Sequence, residues 1–152
     1  MMLQPGDPAP EIAAPNQRGV ALSPPFEGVT VVYFYPEDGT PGCATEAAQF
    51  VAEREVYEEA DVAVYGVSTD SVGSHREFAD EQDVWFDLLA DTDGEVAAAF
   101  GVDLQQGRAP RTTFVLADGE LLRIYEGVSP DGHARDVLFE LLDDGIVELS
   151  EA

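Results

Sequence analysis

The chain has 152 residues, 45% of them apolar, which suffices for one domain with a sizeable core. Asp and Glu number 31 against seven basic residues, all arginine, for a formal net charge of −24. Nucleic acid and anionic membranes are excluded as partners, because binding them requires basic patches. The acids are spread along the chain, so they form no interaction tail. Self-repulsion on this scale calls for screening, and the Debye length shrinks to about 3 Å at 1 M salt. The composition is that expected of a halophile with a salt-saturated cytoplasm. A lone cysteine, Cys43, excludes an internal disulfide and any multi-cysteine metal site. The start, Met1 to Pro8, lacks the basic and apolar segments of a signal peptide. No apolar run approaches the roughly 18 residues of a membrane span. A cytoplasmic single domain over 1–152 is expected.

Residues 1–28 are rich in Pro and Gly and predict a loop-rich segment or small hairpin around Glu11-Ile12-Ala13 and Val20-Ala21-Leu22. The β-branched and aromatic run Val29–Tyr35 predicts a buried strand. A helix follows from about Pro41 to Ala60, with Thr40 as N-cap and Pro41 at its first position. Cys43, Ala47, Phe50 and Val51 share one face of that helix and turn the cysteine inward. Val62–Ser68 is a second strand, making a right-handed parallel βαβ unit. Asp70 or Ser71 caps a helix running to about Gln82, and Leu88-Leu89 marks a short strand. Asp91 or Thr92 opens a helix with Val96, Ala97 and Phe100 on one face, stopped by Gly101.

Thr113–Ala117 and Leu121–Tyr125 flank Asp118-Gly119, a strong hairpin signal. A last helix, about Gly132–Asp143, carries Val137, Leu138, Leu141 and Leu142 on one stripe. A βαβ unit followed by a hairpin and a helix is the order of an α/β thioredoxin-like sandwich, with a mixed central sheet between helical layers and an N-terminal extension.

The chemistry concentrates at Cys43. A first helical turn offers unpaired backbone N–H groups and a positive dipole end, both of which favour a thiolate. Pro36, Thr40 and Cys43 fit the pattern Pro-x-x-x-Thr-x-x-Cys, which resembles a peroxiredoxin. Residues 35–46, Tyr-Pro-Glu-Asp-Gly-Thr-Pro-Gly-Cys-Ala-Thr-Glu, resemble the bacterioferritin-comigratory-protein or PrxQ class more narrowly. The likeness continues through Val67–Ser71, Leu88–Asp91, Pro110–Phe114 and Gly132–Leu138.

That resemblance implies a thiol-dependent peroxidase acting on hydrogen peroxide and small organic hydroperoxides, with no metal or organic cofactor. Cys43 would be the peroxidatic nucleophile that becomes a sulfenic acid. Arg111 would stabilise the thiolate and orient the peroxide, Thr40 would hydrogen-bond sulfur and substrate, and Pro36 would shield the sulfur. Glu46 would hold an arginine in place. Each has a plainer alternative. Thr40 can be only an N-cap, Pro36 a strand terminator, Arg111 a surface charge and Glu46 a first-turn acid. His75 and His133 match family positions without catalytic roles and are expected to be structural or solvent-facing.

The chain departs from many relatives at Ala48, five residues after Cys43, where they carry a resolving cysteine. A one-cysteine cycle follows, with the sulfenic acid reduced by an external thiol, either a thioredoxin-like protein or a small thiol. Two other functions compete. A disulfide oxidoreductase lacks its Cys-x-x-Cys motif here. A peroxide sensor shares every motif and differs only in turnover. No large apolar stripe is left over, so a monomer or weak homodimer is expected.

Overall fold

A computed structural model describes residues 2–127 and 129–148; Met1, Val128 and 149–152 of the 1–152 domain reading lie outside the described residues. The elements in order are β1 (Ala14–Pro15), β2 (Ala21–Leu22), β3 (Val29–Phe34), α1 (Pro41–Ala52), α2 (Arg54–Glu59), β4 (Val62–Ser68), α3 (Val72–Gln82), β5 (Asp87–Ala90), α4 (Glu95–Phe100), β6 (Thr112–Ala117), β7 (Glu120–Glu126) and α5 (His133–Asp143). No helix among the described residues is long and apolar enough to cross a membrane.

The main sheet has the order β5-β4-β3-β6-β7. Strands β3, β4 and β5 run parallel, whereas β6 and β7 run antiparallel to their neighbours. Alternation along β3 divides its side chains between two cores. Val31, Tyr33 and Tyr35 face α1, α2, α3 and α5, while Val32 and Phe34 face α4 and the N-terminal segment. Gly66 on β4 leaves room for a large neighbour: a Cβ there would stand 3.0 Å from Tyr33 Cζ. The β1–β2 hairpin is separate from this sheet, and its Asn16 side chain donates to Asp87 Oδ1 at 3.0 Å.

Most expected elements form, and the exceptions have local causes. The helix expected over 41–60 is two helices, because Glu53 leaves the helical well at φ −93°, ψ 11°. Neither Gly nor Pro marks this break. Beyond it Tyr57 is fully buried, its hydroxyl donating to the Ala134 carbonyl at 2.6 Å, so a tertiary anchor outweighs helical continuity. Ser71, not Asp70, caps α3. Val51 and Leu142 are half-buried rather than core. Asp118 and Gly119 both have positive φ, as a two-residue hairpin with the right twist requires.

The helix expected to open at Asp91 or Thr92 starts only at Glu95, behind Gly94 in the left-handed region. Asp91 caps it from a distance: its carboxylate accepts from Val96 N at 2.8 Å and Ala97 N at 2.9 Å. Burial raises this carboxyl's pKa, opposed by those backbone bonds. Asp91→Ala removes the acceptor and strands two buried amides. A loss of about 2 kcal/mol in chemical denaturation is expected.

Candidate active site

The site lies where parallel strands end. β3 runs into Tyr35, and residues 36–40 form a loop before α1. Thr40 sits at φ −76°, ψ 150° as the N-cap, with Pro41 pre-organised for the first turn. Cys43 follows as the third helical residue and is 2% exposed. Antiparallel pairing sets Phe34 beside Thr112, so Arg111, just before β6, arrives at the same end of the sheet.

The guanidinium of Arg111 spans two groups on α1. Its Nη2 donates to Cys43 Sγ at 3.3 Å and its Nη1 to Glu46 Oε1 at 3.0 Å. The fork geometry of arginine, with its permanent charge, allows both contacts at once. Gly42 makes the approach possible, since a Cβ at that residue would lie 2.6 Å from Arg111 Nη2. The sequence around Cys43 offered no signal for that close approach.

The other expected residues fall around this centre. The Thr40 hydroxyl accepts from Cys43 N at 3.4 Å and donates to the Glu37 carbonyl at 3.2 Å, so it is engaged as a cap and not with the sulfur. Pro36 is half-buried where the loop begins, and its carbonyl faces Arg108. Glu46 is not a first-turn acid: it lies in the second turn, is 1% exposed and pairs with Arg111. Neither histidine is solvent-facing, and neither hydrogen-bonds Cys43 among the described residues. His133 bonds Thr113 Oγ1 at 2.9 Å, and burial lowers its pKa. His75 is fully buried and bonded to Asp38 and the Leu89 carbonyl.

Burial dominates the electrostatics beneath the sulfur. The Glu46 carboxyl is pushed up to about 7 by desolvation, with Arg111 working in the opposite direction. Its second oxygen, Oε2, is buried without a hydrogen-bond partner among the described residues, which accounts for the dominance of desolvation. In the unfolded chain the same group titrates near 4.5. Between the two values the folded state binds more protons, so this residue costs stability as pH rises from 4.5 to 7. The full cost, reached above that window, is on the order of 3 kcal/mol. Glu46→Gln keeps an acceptor for Arg111 and removes this titration. Denaturant midpoints measured across the window should therefore fall less with rising pH in the variant than in wild type.

Comparison with known proteins accords with this geometry. Residues 5–124 match the AhpC/TSA family. The chain is 33% identical over 153 residues to peroxiredoxin Bcp of Bacillus subtilis, covering 94% of this chain and 98% of that one. The crystal structure of peroxidoxin BcpB from Mycobacterium tuberculosis superposes with a TM-score of 0.84 at 33% identity, over 93% of this chain and 97% of that one. The bacterioferritin comigratory protein of Xanthomonas campestris, described for its alkyl peroxide reduction activity, gives 0.81 at 30% identity, over 88% and 91%. A cysteine at a helix start, touched by an arginine from the neighbouring strand, thus sits in a matching fold and sequence: the chain belongs to the AhpC/TSA family, within its Bcp/PrxQ peroxiredoxins, and is a thiol-dependent peroxidase.

Proposed function

We propose that Cys43 is the peroxidatic residue of a one-cysteine cycle. The observation that carries this is the Arg111 fork, 3.3 Å from Cys43 Sγ and 3.0 Å from Glu46. The thiolate attacks one oxygen of a hydroperoxide, forming an S–O bond as the O–O bond breaks. Sulfur is oxidised to a sulfenic acid, and the departing oxygen takes a proton and leaves as water or an alcohol. Arg111 stabilises negative charge first on sulfur and then on the transferring oxygens. The Thr40 hydroxyl exchanges its bond to the Glu37 carbonyl for one to the peroxide, and Pro36 limits water access at the loop. Hydrogen peroxide and small alkyl hydroperoxides are the substrates, in line with the Xanthomonas relative.

Ala48 is exposed and no second cysteine exists, so resolution comes from outside. One external thiol, protein-borne or small, attacks the sulfenic sulfur and releases water; a second reduces the mixed disulfide and restores the Cys43 thiol. The protein works in a cytoplasm of high salt as a monomer or weak dimer. The net charge of −24 without lysine supports the first point. For the second, Val20 and Phe139 are the large apolar residues left exposed among the described residues.

Hydrogen peroxide consumption in molar KCl with excess dithiothreitol tests the cycle. Sustained turnover in wild type and background rates in Cys43→Ser are expected. A single stoichiometric burst in wild type marks a peroxide sensor instead. Gly42→Ala sets a Cβ against the mobile end of Arg111, so the guanidinium moves while the fold stays intact. Its rate should drop about 10- to 100-fold, as misplacement near 1 Å does elsewhere, with a nearly unchanged melting temperature. The salt reading expects that melting temperature to climb steeply from dilute buffer to molar KCl; a flat response overturns it. Sedimentation at micromolar concentration reads the assembly.

A further inference from the structure

Asp38, in the middle of the catalytic loop, is braced from three elements. Its Oδ1 accepts from the Tyr35 hydroxyl at 2.7 Å. Its Oδ2 accepts from Ser74 Oγ at 2.9 Å and meets His75 Nδ1 at 2.6 Å. Its backbone N–H donates to Asp70 Oδ2 at 2.8 Å, and that oxygen also accepts from Ser68 Oγ at 2.6 Å. Asp38, Asp70 and His75 bring carboxylate and imidazole atoms within 4.8 Å of one another, and these atoms are engaged in protein hydrogen bonds. The two side chains of the Asp38–His75 contact are 5% and 0% exposed.

The hydrogen-bond inventory of His75 restricts where protons lie. Its Nε2 is 2.9 Å from the Leu89 carbonyl oxygen, which only accepts, so Nε2 carries a hydrogen. The ring's orientation is assigned by these two partners. A neutral ring then presents a bare Nδ1 to Asp38, and two acceptors at 2.6 Å repel unless a proton lies between them. Either Nδ1 holds it, giving an imidazolium and a carboxylate, or Oδ2 holds it, giving a neutral pair. Both arrangements have one proton shared and no net charge. Burial keeps Tyr35 protonated, as a donor to Asp38 requires.

We propose that Asp38 and His75 are a proton-sharing pair that positions the loop leading to Thr40 and Cys43 and cancels the charge of Asp38 within that loop. The loop needs an acceptor at Asp38 to tie Tyr35 and Ser74 together. An unneutralised carboxylate there, 5% exposed, would carry a large burial cost. His75 resolves the conflict by supplying the shared proton while its far side anchors on β5. Both are positioning residues, acting on the sulfur through the loop and the helix cap.

The inference rests on the peroxidase reading, so its test combines a readout independent of catalysis with a kinetic one. In wild-type protein labelled with 15N-histidine, the His75 ring should show Nε2 protonated. A bare Nε2 with the hydrogen on Nδ1 overturns the pair whatever the activity. Kinetically, His75→Gln keeps a donor for the Leu89 carbonyl and removes the partner of Asp38. Single-turnover oxidation of Cys43 by hydrogen peroxide should slow about 10- to 100-fold, and alkylation by iodoacetamide much less, because the first reaction alone depends on positioning of substrate groups. Adding Asp38→Asn to His75→Gln removes the stranded charge and should restore most of the lost peroxide rate. Unchanged peroxide rates in His75→Gln, or no recovery in the double variant, overturn the proposal. A wild type inert to peroxide defeats the peroxidase reading alone, and a bare Nε2 still overturns the pair.

Discussion

Arg111 is held between Cys43 and Glu46, and the rest of the site is organised around keeping it there. A buried ion pair of this kind contributes little net stability, because desolvation consumes most of its Coulombic gain. The raised pKa of Glu46 displays that cost directly. What the pair secures is position: the Glu46 contact holds one nitrogen of the guanidinium while the other lies against the sulfur. Gly42 completes the arrangement by surrendering the volume that Arg111 Nη2 occupies.

Topology explains why these groups meet. In open α/β sheets, reactive groups gather beyond the carboxyl ends of the parallel strands. β3, β4 and β5 end here at Phe34, Ser68 and Ala90, and each hands over to a polar loop residue: Asp38, Asp70 and Asp91. Reversal of direction at β6 brings Arg111, which precedes its strand, to the same edge. The bracing of Asp38 by Ser74 and His75 then ties the catalytic loop to α3, and its backbone bond to Asp70 ties it to β4.

The charge balance of the surface and of the site run in opposite directions. Overall the chain is acidic by 24 charges. At the sulfur the contacting charge is the Arg111 cation, and the carboxyl of its partner Glu46 is raised to about 7 by burial. The sulfur therefore sits against an arginine cation in a protein whose overall charge is strongly negative.

Much of this was legible in the sequence because it rests on local rules. Alternation in Val29–Phe34, the Thr40-Pro41 helix start, Asp118-Gly119 and the 35–46 motif each encode their own short-range geometry. They determine the sandwich order, the family resemblance and the place of Cys43 on a helix. The break at Glu53 was not legible, since Tyr57 reaches a carbonyl 77 residues away. Nor was the capping of α4 by Asp91, which acts from outside the helix it serves. His75 looked like an ordinary helical histidine until folding placed it 2.6 Å from Asp38, 37 residues earlier. Long-range contacts and desolvation are sums over the whole fold, so only the tertiary structure decided the state of Glu46, the role of Gly42 and the partners of both histidines.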